Sequence, residues 1–288
     1  MRNLNHQLKQ LCQRNRDGSF TTQRDRERVL TLIADQLHAL GFRGMGARSL
    51  KPKHVDALVN HWQRADLSIG TIKNRLAMLR WWAEKVDRQN VMARSNAHYG
   101  VPDRVFSSGV SKARGVDLAD LAQIHDPHVR MSLELQQAFG LRREEAIKFS
   151  PSFADGGDHV TLKDSWTKGG KARVIPIRTD AQRAVLDRAH RLVGRGSLIP
   201  PHRNYRQQLR IYERQTNAAG LSKLHGLRHA YAQARFEELT GFKAPAAGGP
   251  AHTDLTAAQR AADRHARMVI SQELGHFREQ ITTVYCGR

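Results

Sequence analysis

Residues 159–177 read HVTLKDSWTKGGKARVIPI, and this stretch decides the fold class. His159-Val-Thr-Leu162 and Arg173-Val-Ile-Pro-Ile177 alternate in character, and the turn between them carries Thr167-Lys168-Gly169-Gly170-Lys171. Two alternating segments around a Gly-Gly turn predict a β-hairpin. No other stretch reads convincingly as strand. The chain is therefore expected to be mainly α with one small antiparallel sheet.

Working outward, Leu118–Ile124 and Met131–Phe149 carry helical spacing, and helical pattern resumes after Asp180. Thr256-Ala-Ala-Gln259 is a capping-box pattern that predicts a helix running towards Leu274, after a Gly/Ala/Pro loop at 241–252. Further upstream, SNAHYGVPDRVFSSGVSKAR (95–114) loses periodicity, which predicts an interdomain linker. Before it, apolar residues at spacings of three and four predict helices over 21–40, over 53–64 and, starting after Leu67-Ser68, to about Val86. The expected division is a helical domain over 1–100, a linker over 101–115 and a second domain over 116–288. Residues 1–20 are polar and basic, end in Asp17-Gly18-Ser19, and are expected to be flexible.

Forty-seven Lys+Arg stand against 27 Asp+Glu in 288 residues, a net charge of +20. Residues 1–100 contribute +10 and residues 101–288 another +10, so the excess is not a basic tail. A polyanion is the expected partner, with both modules facing a phosphate backbone. On the 67–86 helix, Lys73, Arg75 and Arg80 flank an apolar stripe and are the expected DNA-facing residues, with Lys171 and Arg173 in the hairpin. No run approaches the roughly 18 apolar residues of a membrane span, and MRNLNHQLKQ has no apolar core of a signal peptide. Cys12 and Cys286 make no disulfide framework, so a cytoplasmic setting without membrane partners is expected.

Chemistry-bearing residues fall in a particular order in the second module: Gly-Leu-Arg142-Arg-Glu-Glu145, Thr-Lys168-Gly-Gly-Lys171-Ala-Arg173, Leu-His225-Gly-Leu-Arg228-His229, Leu-Gly-His276, and Tyr285. Singly, each has a bland explanation. Their joint order resembles the catalytic domain of the tyrosine recombinases, the phage-integrase family. Upstream, LSIGTIKNRLAMLRWWAEKV (67–86) resembles the last part of that family's core-binding domain.

The resemblance implies a helical core-binding domain and a catalytic domain, mostly α with a small antiparallel sheet, that close around duplex DNA. It implies site-specific cleavage and rejoining through a covalent 3′-phosphotyrosine, in the integration or excision of a mobile element. A homo-tetramer on two DNA sites is implied, with a DNA-bending accessory protein as a further partner. Tyr285 would be the nucleophile. Arg142 and Arg228 would clamp the non-bridging phosphate oxygens, whose negative charge grows under attack. Lys168 resembles the general acid for the departing 5′-hydroxyl, with Lys171 as rival in the same turn. His225 would accept a proton or donate a hydrogen bond, His276 would donate to a phosphate oxygen, and Glu145 would support the site.

No cofactor or metal is called for: there is no nucleotide-binding glycine loop, and His225 and His229 lack a third zinc ligand. The same-fold alternatives are a resolvase or a topoisomerase-like enzyme. The alternative of another class is a non-catalytic architectural or regulatory DNA-binding protein on a recombinase scaffold.

Two features depart from the family pattern. The 48 residues from Arg228 to His276 are long for the family, with the extra material expected at 240–264, and only three residues follow Tyr285. The long segment is expected to take over part of the subunit contact. Finally, nine residues separate His276 from Tyr285, which would set them on opposite faces of one continuous helix. Sharing a site requires a break, expected near Arg278–Thr282.

Overall fold

The computed structural model describes residues 3–104, 109–167, 169–276 and 278–288. The chain divides into two compact units, residues 1–105 and 106–288.

The first unit is helical: α1 (Asn3–Arg14), α2 (Phe20–Ala39), α3 (Pro52–Arg64) and α4 (Ile69–Lys85), with one 3-10 turn between α2 and α3 and two more after α4. The expectation of a flexible start is corrected, because Leu4, Leu8 and Cys12 make a short apolar stripe that packs with Leu30, Ile33 and Leu37 of α2. Ser19 caps α2 and Ser68 caps α4, each hydroxyl accepting an amide hydrogen from three residues on. Trp62 and Trp82 are fully buried, and their indole N–H groups donate to Gln36 Oε1 (2.9 Å) and the Ala47 carbonyl (2.8 Å). A buried tryptophan without such a partner would strand a donor.

The second unit runs α5 (Leu118–Ala122), α6 (Pro127–Phe139), α7 (Arg143–Ile147), α8 (Pro151–Ala154), β1 (His159–Leu162), β2 (Arg173–Pro176), α9 (Asp180–Val193), α10 (Tyr205–Ala218), α11 (Gly226–Thr240), α12 (Ala257–Glu273) and α13 (Glu279–Cys286). β1 and β2 pair antiparallel, with Val160 opposite Ile175 and Leu162 opposite Arg173. Helix α6 is buried on two sides: Met131, Leu135 and Phe139 join one apolar cluster, while Val129 and Leu133 join another with Tyr212 and Leu227.

The helical run expected over 131–149 breaks at Gly140. Its φ is +59°, and a Cβ there would sit 2.6 Å from the Tyr231 ring, so only glycine fits. The turn it permits starts α7 at a new angle and sets Arg142 at its N-terminus. Residues 111–114, expected as linker, lie on the second unit: the Arg114 amide donates to the Gly226 carbonyl (3.0 Å) and Ser111 Oγ to Gln233 Oε1 (3.0 Å). Among the described residues, no helix is long and apolar enough to cross a membrane.

Candidate active site

The α6–α7 turn, β2, α11 and the α12–α13 junction bring together side chains far apart in sequence. The junction comes first, because it sets the nucleophile candidate. Helix α12 ends at Glu273 and α13 begins at Glu279, so the helical run is interrupted from a few residues before the expected break. The Ser271 hydroxyl secures this corner, donating to the Arg278 carbonyl (2.8 Å) and accepting the Arg278 amide (2.9 Å). His276 and Tyr285 consequently meet, with His276 Nε2 3.1 Å from Tyr285 Oη.

Glu145 is the buried anchor, with 0% exposure. Its carboxylate accepts the backbone amide (2.7 Å) and Nη1 (2.8 Å) of Arg142, and both terminal nitrogens of Arg173 (2.8 and 2.6 Å). Burial alone would raise its pKa. The hydrogen bonds and charge of Arg173, then the charges of Arg228 and Arg142, outweigh burial and hold it at about 2. Three arginines thus surround one carboxylate, leaving a net positive centre that attracts anions.

Arg228 is 1% exposed, and its Nη1 and Nη2 donate to the carbonyls of Gly140 and Leu274. Its Nε donates to Tyr285 Oη (3.3 Å). Burial, the largest influence, and the neighbouring arginines lower its pKa to about 10 even though Tyr285 opposes them, so it stays charged at neutral pH. Arg142 Nη2 donates to the Leu274 carbonyl (3.2 Å). Nη2 of Arg142 and Nη2 of Arg228 each lie 3.5 Å from His276 Nε2. Guanidinium nitrogens only donate, which favours the tautomer with the lone pair on Nε2 and the proton on Nδ1. Burial, then Arg228 and Arg142, lowers the His276 pKa to about 4, so the ring is neutral at pH 7.

Tyr285 is 4% exposed and is held by its backbone as well, its carbonyl accepting Gln233 Nε2 (2.9 Å). The His225 ring is exposed and lies 6.0 Å from the Tyr285 ring, centroid to centroid. His229 is buried at 4.8 Å from the same ring, and its Nδ1 has no hydrogen-bond partner among the described residues. Burial, then His225 and Lys112, lowers the His229 pKa to about 4. Sequence spacing placed His229 next to Arg228 but gave no sign that it packs against Tyr285.

The structure therefore gathers Arg142, Glu145, Arg228, His276 and Tyr285, with His225 at the rim. Lys168 lies outside the described residues. Lys171 is exposed in the hairpin turn, its amide bonded to Thr167 Oγ1 (3.1 Å). The expected DNA-facing role of Arg173 is corrected. It is 5% exposed, clamped on Glu145, with Nε donating to the Glu273 carbonyl (2.9 Å). Strand alternation carried the signal: Arg173 shares a face with buried Ile175, whereas Val174 is 53% exposed.

The three residues expected to face DNA in the first unit are each engaged within it. Lys73 pairs with Asp103 (2.6 Å), Arg75 stacks over Trp62 (5.3 Å to the centroid), and Arg80 Nη2 donates to Asn96 Oδ1 (2.7 Å) and the Ala93 carbonyl (3.2 Å). Among the described residues, no group of three His, Cys, Asp or Glu side chains could hold a metal ion.

A family model described as phage integrase, N-terminal, matches residues 1–92, and one described as integrase matches 93–234. The chain belongs to the phage-integrase family of tyrosine recombinases. Its fold is similar to that of a chain in the structure of a lambda integrase (75–356) dimer bound to a COC′ core site, with a TM-score of 0.63, 16% identity, and coverage of 99% of this chain and 96% of that one. The Tn1549 transposon integrase in complex with circular intermediate DNA matches with a TM-score of 0.59 and 12% identity, covering 100% of this chain and 96% of that one. XerH site-specific recombinase bound to palindromic difH substrate matches with a TM-score of 0.59 and 17% identity, covering 98% and 80%. No curated protein sequence matches the chain significantly.

Proposed function

We propose that the chain is a DNA strand-exchange enzyme that cleaves and rejoins duplex DNA through Tyr285, in the integration or excision of a mobile element. The observation that carries this reading is the meeting of Tyr285 Oη with Arg228 Nε and His276 Nε2. The phenol donates its proton to the neutral imidazole, and Arg228 donates to the oxygen where phenolate charge develops. His276 thus acts as proton acceptor in the resting site, where the family resemblance had suggested a donor to phosphate.

In the resting arrangement Tyr285 occupies a donor that a phosphate oxygen would use. The scissile phosphate approaches from the His225 rim, and Arg228 and Arg142 exchange part of their present bonding for its oxygens. Oη attacks phosphorus, the 3′-phosphotyrosine forms, and the 5′-hydroxyl leaves with a proton from the hairpin lysine, Lys168 by family resemblance. The phosphoester is conserved for rejoining.

The first unit serves as core-binding domain and the second as catalytic domain. Four protomers on two DNA sites complete the exchange, with a bending protein as an accessory, inside the cytoplasm. The similar fold of a lambda integrase tetramer bound to a Holliday junction supports this assembly.

The test is covalent trapping on supercoiled plasmid and on DNA flanking the gene, in EDTA, quenched with detergent. Wild type is expected to give a protein–DNA adduct that Tyr285→Phe lacks, with DNA affinity unchanged. Equal binding and no adduct from either protein on either DNA would move the reading to a DNA-binding protein without catalysis.

A further inference from the structure

The long segment between α11 and α12 does not stand out from the domain. Phe242 and Ala247 pack against the same apolar cluster that holds Tyr285 and Cys286, and Ala244 and Leu255 are buried. These side chains are spent on the domain's own core. They lead to the far end of the tyrosine helix.

Three contacts converge there. Arg267 of α12 is 3% exposed, and its Nε donates to both carboxylate oxygens of Asp263 (2.9 Å each), itself 2% exposed. With that pair fixed, Arg267 Nη1 reaches the Gly287 carbonyl just past α13 (2.9 Å). Gly287 has φ +73° and lies so close to the 245–247 turn that a Cβ would fall 2.8 Å from the Ala246 nitrogen. Between this end and Tyr285 sits Cys286, fully buried, its Sγ against the Ala232 carbonyl (3.8 Å).

A buried ion pair costs desolvation that hydrophobic packing would avoid, so its use as a strut calls for a reason. We propose that Asp263 and Arg267, with the 245–247 turn, form a latch within one protomer that docks the end of α13 and so positions Tyr285 on Arg228. The inference rests on the reading of Tyr285 as nucleophile. Arg267 touches neither Tyr285 Oη nor its donors, so it is a positioning residue. Its effect reaches the phenol through a helix of only eight residues, too short to hold its orientation unaided.

Cys286 offers a readout independent of catalysis. In a Cys12→Ser background it is the sole thiol, and burial raises its pKa to about 12, so a disulfide reagent labels it only when α13 undocks. Labelling by an aromatic disulfide reagent is expected to be slow in that background. It should rise at least ten-fold in Arg267→Met and in Gly287→Ala, and return towards the parent rate in Arg267→Lys. Gly287→Ala leaves the Asp263–Arg267 pair intact, so it reports on the latch even if Arg267→Met fails to fold.

In the same two variants, covalent adduct formation should slow at least ten-fold at unchanged DNA affinity. Unchanged labelling in Gly287→Ala would overturn the latch, as would faster labelling with adducts forming at the parental rate. If labelling rises while the parent protein never forms an adduct, the docking role stands and the catalytic reading fails.

Discussion

The two units use arginine in opposite ways. In the helical unit Arg26 lies over Trp81, Arg75 over Trp62, and Arg80 on a carbonyl and an amide oxygen, each serving its own neighbourhood. In the second unit Arg142, Arg173 and Arg228 converge on one fully buried glutamate and one buried tyrosine. Isolated guanidinium-on-ring contacts stabilise modestly and ask little of the fold. A buried cluster of three cations and one anion is expensive, and stability alone does not account for it. The difference is between a distributed use of arginine, which asks little of the fold, and a convergent one, whose cost calls for a reason other than stability.

The strongest way to break that comparison is to remove the shared anion. Glu145→Ala strands Arg173 and Arg142 in a low-dielectric setting, and losing one member of a buried ionic group costs about 3–5 kcal/mol. Two-transition calorimetry of the full chain should show the second unit's melting fall steeply while the helical unit's is unmoved. Equal melting of wild type and variant would mean that the arginines find other partners, and the cluster would lose its special standing.

Protonation probes the same contrast more gently. Folding lowers the pKa of His229 from 6.5 to about 4, so the unfolded chain binds the extra proton between those values. Stability is therefore full above pH 6.5 and declines as the pH falls towards 4, by about 3 kcal/mol for one such group. His276 acts in the same direction, as do His128 and His225, whereas in the helical unit His54 is the residue so shifted. Urea unfolding at pH 7, 5.5 and 4.5 should show a steeper acid loss for the second unit, flattened in His229→Asn. A uniform decline in both units would contradict the assignment of buried neutral histidines to the site.

Legibility in the sequence followed the same divide. Helices α2, α3 and α4 and the β1–β2 hairpin were expected within a few residues of where they lie, because their apolar periodicity is long or bounded by clear turn residues. Helix α1 escaped because its stripe of Leu4, Leu8 and Cys12 is short and set among polar residues. In the site, motif order identified Arg142, Glu145, Arg228, His276 and Tyr285, but not how they are bonded. The carbonyls of Gly140 and Leu274, which absorb Arg228, are backbone groups that no motif names. Arg173 was read as surface because arginine usually is. Alternation put it on one face with Ile175, but Val174 on the other face is apolar too, so which face packs on the domain is a tertiary fact that the strand alone does not settle.

The smallest effect separates the basic residues of α4 from one another. A cation that contacts a phosphate releases about one counterion, so removing it flattens the slope of log K against log salt by about 0.9. Arg75 would have to leave the Trp62 ring, and Arg80 two oxygen acceptors, before reaching a duplex. Lys73, its stem covered and its side chain 16% exposed, has only to exchange Asp103, whose carboxylate is fully exposed and competes with water for the ammonium. Lys73→Met is therefore expected to flatten the salt dependence of DNA binding by about one unit, and Arg75→Met and Arg80→Met to leave it unchanged. If Arg75→Met flattens it as much as Lys73→Met, then the ring contact is no barrier, and arginines of the helical unit are as free to meet DNA as its lysines.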